Sequence, residues 1–139
     1  NISNTQLVKD LLFTKADEIC ASTVHDGLNL EDKVLLSMAI RMQAEIFLII
    51  ELRLLKSEPN YWCQSMNQFG SLIKEYSSLA PLSPSIRTLG KISITVSSNI
   101  HLNSFMYEPI LDLTIEHLID LYNEVCSLSA GAVNANTNA

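Results

Sequence analysis

The chain has 139 residues, of which 47% are hydrophobic and 17% charged, with a net charge of −6. That length fits one domain. Its nine Lys and Arg are scattered, which argues against nucleic-acid binding, since that needs a clustered basic face.

The charged fraction is below the usual quarter or so. It predicts more apolar surface than a lone monomer needs, and hence a protein partner or a self-contact. Three widely spaced cysteines, Cys20, Cys63 and Cys126, form no CxxC motif. A reducing, cytoplasmic compartment is the expectation. The chain opens at Asn1 without Met, which reads as a fragment or a processed product.

The first segment, Thr5 to Ser22, has a helical period. Leu7, Val8, Leu11, Leu12, Ala16, Ile19 and Cys20 are predicted on its core face, and Lys9, Asp10, Lys15, Asp17 and Glu18 toward water. Asp26-Gly27 marks a turn, and His25–Asp26 is turn chemistry rather than an acid–base dyad. The short connection favours a hairpin of two helices.

Asn29 to Leu55 is predicted as a long helix, apolar on nearly every side and therefore buried. Asn29 can cap it, and Asp32 lies near the positive end of its dipole. Lys33, Ser37, Arg41 and Glu45 recur at i, i+4 as one polar stripe, with Lys33 expected to be exposed. Arg41, Glu45, Glu51 and Arg53 interrupt the apolar run, so a membrane span is excluded on insertion cost. Arg41 and Glu45 are the charges expected to be partly buried. The preferred reading is a pair that satisfies itself while its aliphatic stems cover apolar neighbours. The alternative is a functional ion pair in a ligand-binding or catalytic pocket, with Tyr107 or His101 added.

Pro59 breaks the chain after that helix. Tyr61 to Leu79 keeps a helical spacing through Trp62, Met66, Phe69, Leu72, Ile73 and Tyr76. Ser83-Pro84 reads as a cap followed by the first helical position. Ile86 to Val96 is ambiguous, because Lys91 to Ser97 alternates and is β-branched. Helix is preferred, since a lone strand has nothing evident to pair with.

Asn99 to Leu113 has no clean period and gathers Phe105, Met106 and Tyr107. It reads as a strap laid over the helices. Those three residues either close the domain's own core or form an interaction surface, since aromatics and Met are enriched at interface cores. Thr114 caps a last helix, Ile115 to Leu128, with Leu118, Ile119, Tyr122, Val125 and Cys126 inward. Residues 129–139 read as a disordered tail beyond a single helical domain at 1–128.

The sequence offers no metal site and no cofactor cradle. No His or Cys stands at HxxxH, CxxC or ExxH spacing, and the glycines form no phosphate loop. Cys63 lacks the setting of a nucleophile. No His follows Arg41, Arg53 or Arg87 within two turns, so the signature of HEPN-type helical ribonucleases is absent.

The runs EDKVLLSMAIRMQAEIFLI and NIHLNSFMYEPILDLTIEHLIDLYNEV resemble the helical C-terminal portion of bacterial proteins that accompany ATPase or mobile-element modules. The resemblance implies a piece of a larger bacterial protein and no particular reaction. The expected fold is all-α, a bundle of four or five helices around residues 29–55. The expected function is a protein-interaction or assembly domain, with a small helical enzyme or ligand binder around Arg41 and Glu45 as the alternative.

Overall fold

The computed structural model describes residues 4–22, 30–61, 69–96 and 112–138. Among them are five helices and no strand: α1 (Asn4–Ala21), α2 (Leu30–Lys56), α3 (Phe69–Leu79), α4 (Ser85–Thr95) and α5 (Ile115–Asn138). The fold is all-α. The long α2 contacts each of the other four helices, α5 most extensively, while α3 also meets α4 and α4 meets α5.

Local chemistry explains the boundaries. Glu31 and Asp32 occupy the first turn of α2, and Arg53 and Lys56 its last, each sign placed favourably against the helix dipole. The helix stops at a Schellman turn. Ser57 N–H donates to Leu54 O at 3.1 Å and Glu58 N–H to Arg53 O at 3.0 Å. Ser57 takes the left-handed conformation there, with φ 55°, in the position that glycine usually fills.

Ser83 and Pro84 start α4 as their residue types suggest. Pro84 is already helical, with φ −66° and ψ −18°. The Ser83 hydroxyl accepts from Ser85 N–H at 3.3 Å and pairs with Tyr76 OH at 2.6 Å. Ile86 to Thr95 is helical, so local β-preference yields to packing: Leu89, Ile92 and Val96 are buried in the core. Thr114 caps α5 through a 3.1 Å bond from His117 N–H.

The last helix runs on to Asn138, past Leu128, where the sequence reading ended it and placed a disordered tail. Residues 129–138 contain no proline and three alanines, Ala130, Ala132 and Ala135, and alanine is the best helix former. Tyr61 precedes α3 without being helical. The remainder of the sequence-predicted third helix before Phe69 lies outside the described residues. So do Phe105, Met106, Tyr107 and His101.

The core joins Ala16 of α1, Leu36, Ile40, Phe47, Leu48 and Leu52 of α2, Leu72 and Tyr76 of α3, Leu89 and Ile92 of α4, and Leu118, Tyr122 and Val125 of α5. Phe47 and Tyr76 meet edge to face, with centroids 5.7 Å apart, a favourable geometry for the ring quadrupoles.

Two faces differ from the sequence expectation. Lys33 is only 6% exposed and Ser37 fully buried, so the stripe they begin points inward. At 100° per residue, Lys33, Ser37, Ile40, Ala44 and Leu48 share an arc of about 80°. Because α2 is apolar nearly all round, burying this arc costs only two polar groups, and the four-methylene stem of Lys33 packs like an aliphatic residue. The second difference is on α1. Leu7 is 56% and Leu11 62% exposed; both lie about 140–180° around the helix from the buried Ala16.

Candidate functional site

Arg41 and Glu45 stand one turn apart on α2, and Arg41 Nε donates to Glu45 Oε1 at 3.0 Å. Their side chains are 18% and 24% exposed. Burial pushes the Glu45 carboxyl above its ordinary value, while the hydrogen bond and charge of Arg41 pull it back. Desolvation outweighs the partner. The two charges face each other at the rim of the core.

An open apolar groove of about 490 Å³ lies between α1 and the first half of α2, lined by Leu12, Leu30, Glu31, Val34, Leu35 and Met38. Glu31 is the one charged group among these lining residues. Leu30 and Met38 are exposed, and Leu7 and Leu11 stand out from the neighbouring helix α1. Leu11 and Leu7 lie about 100° and 140° around α1 from Leu12, the α1 residue that lines the groove, so they form an exposed apolar shelf separate from it. The sequence reading missed it because it placed Leu7 and Leu11 inward; the available signal was their angular distance from Ala16.

A second cleft, of about 480 Å³, lies at the C-terminal end of α2 among Ile50, Arg53, Leu54, Ser57 and Pro59. Its cation is engaged: Arg53 Nε donates to Tyr61 O at 2.9 Å. Beside it Lys56 reaches Glu75 at 2.7 Å and lies 4.7 Å from the Tyr61 ring centroid. Tyr61 OH donates to Glu75 Oε1 at 2.9 Å. These bonds tie the end of α2 and Tyr61 to Glu75 of α3, and a helix C-terminus is the wrong end of the dipole for an anion.

Tyr122 on α5 donates to Asp17 Oδ1 on α1 at 3.3 Å. Burial, followed by the nearby Cys126, raises the pKa of this phenol well above its ordinary value. Cys20 and Cys126 are free and half-buried, and burial raises both thiols. Among the described residues, no three His, Cys, Asp or Glu gather as a metal would need. His117 is exposed on α5.

Among the described residues, no helix is long and apolar enough to cross a membrane. Compared with protein-family models, with curated proteins and with solved structures, the chain matches none.

Proposed function

We propose that this domain works by contact rather than catalysis, as an assembly module of a larger bacterial protein. The observation that carries the reading is exposed apolar surface in two places, the Leu7–Leu11 shelf of α1 and the open groove edged by Leu30 and Met38. Exposed apolar patches mark interaction sites. The sparse charge of the chain supports the same reading, and so does the Arg41–Glu45 pair, whose two charges engage each other and line neither cleft.

The occupant is a second copy. An apolar ridge and an apolar groove on neighbouring helices allow a contact in which the ridge of one copy enters the groove of another. Sedimentation over a concentration series tests this. Wild type is expected to self-associate, and Leu11→Glu to remain monomeric with an unchanged melting temperature, because Leu11 contributes little to the core. A wild-type protein that stays monomeric at high micromolar concentration overturns the second copy as occupant. Self-association that persists in Leu11→Glu moves the contact off the shelf.

A further inference from the structure

Helix α1 is long and thinly buried. At 100° per residue, Leu12, Phe13, Ala16, Ile19 and Cys20 share an arc of about 120° that faces the core. The arc is centred on the smallest of them. Among the α1 side chains described, Ala16 alone is fully buried, and the other four of the arc are partly buried. The helices α3 and α4 have 11 residues each against 18 in α1, yet α3 buries Phe69, Leu72 and Tyr76, and α4 buries Thr88, Leu89 and Ile92. Burial free energy follows the apolar area removed from water, so α1 is held less firmly than either shorter helix. Its bond to α5, from Tyr122 OH to Asp17 Oδ1, is long at 3.3 Å, where a strong hydroxyl–carboxylate bond spans about 2.5–2.7 Å. Bonds inside α1 are better formed. Gln6 donates to Asp10 Oδ1 and the Thr14 hydroxyl to Asp10 O, both at 2.8 Å, and these travel with the helix when it moves. Leu12 faces Leu30, Val34, Leu35 and Met38 of α2 across an open groove, so packing between the two helices is incomplete there.

We propose that α1 is a gate: it leaves the bundle as one cooperative unit while the other helices stay folded, and its departure widens the groove into an apolar strip along α2. Elements with few buried apolar contacts open at a lower free energy than the whole protein. The gate stands on the packing of α1 alone; only what enters the opened groove rests on the self-assembly reading above.

Hydrogen exchange of backbone amides, read by mass spectrometry at a dilution where sedimentation shows monomers, tests the gate. Amides of residues 8–21 are expected to exchange at least about tenfold faster than those of 40–52 and 118–125. Ile92 lies in α4, which packs mainly on α2, α3 and α5, and it keeps its surroundings when α1 opens. Ile92→Val should therefore speed exchange in α2 and α5 by about two- to tenfold and leave α1 unchanged. Lys15→Gly, at an exposed position, should speed all the amides of 8–21 alike, by about threefold. Protection in α1 equal to that in α5, or an α1 that follows Ile92→Val as α5 does, would overturn the gate. A response to Lys15→Gly confined to its own turn would overturn it too, because that is fraying residue by residue.

Discussion

Thr88 Oγ1 on α4 donates to Glu124 Oε1 on α5 at 2.6 Å, joining a buried hydroxyl to a carboxylate at the bundle surface. This bond is the main cause of the lowered Glu124 pKa, with Lys91 and Arg87 adding their charges against a partial desolvation. Its length is typical of a charge-assisted O–H···O bond. It fastens the short helix α4 to the long last helix. Thr88→Val is expected to cost about 1–2 kcal/mol in urea denaturation, since a bond to a charged group is lost without a large change of shape.

Glu124 and Glu45 should give opposite pH signatures. The Glu124 carboxyl has a folded pKa below its ordinary value of 4.5, so its contribution is present above that value and is lost as pH falls through the folded pKa. Glu45 is raised above 4.5. The unfolded chain then releases its proton first, and stability declines as pH climbs from 4.5 through the raised folded value. Urea midpoints measured across the acid range should show Glu124→Gln with a shallower acid loss. Glu45→Gln should show a shallower decline above 4.5, the remainder coming from Glu51, which burial also raises. Slopes identical to wild type in both variants would contradict these assignments.

Lys33 and Ser37 on the inner arc of α2 should respond in opposite ways. Removing the buried stem of Lys33 leaves a void, and Lys33→Ala is expected to cost about 1–3 kcal/mol, above the range of an exposed site. Ser37 Oγ is buried without a hydrogen-bond partner. Ser37→Ala relieves that polar burial, and it should be neutral or stabilising by up to about 1 kcal/mol. Chemical denaturation of the two variants decides which face of α2 is inward.

A third comparison separates core from shelf. Leu48 is fully buried, so Leu48→Ala should cost about 2–5 kcal/mol, as large-to-small core changes do. Leu11→Ala should change monomer stability by no more than about 0.5 kcal/mol. Equal urea midpoints for the two would contradict the packing of α1 and α2.

Ser57 holds a left-handed conformation at φ 55°, which disfavours a Cβ and is tolerated by glycine. Ser57→Gly keeps both hydrogen bonds of the Schellman turn. It should raise stability by about 0.5–1 kcal/mol, read as a higher melting temperature.

Helical class was legible because its causes are local. The apolar run of α2 is too long for a strand, Pro59 follows its end, and Thr114 can reach the N–H of His117 whatever surrounds it. The Arg41–Glu45 bond was legible for the same reason: an i, i+4 spacing brings the two groups together on any α-helix. The outcome at Ile86–Thr95 was harder, because β-branched residues argued for a strand until Leu89, Ile92 and Val96 found the core. What tertiary structure alone decided was orientation. A helix apolar on almost every side has no pattern that selects its inner face, and the packing of its neighbours, α5 above all, against α2 turned Lys33 and Ser37 inward. On α1, leucines at nearly opposite angles cannot all reach one neighbour. Packing Ala16 against the core left Leu7 and Leu11 outside, and the shelf follows from that choice.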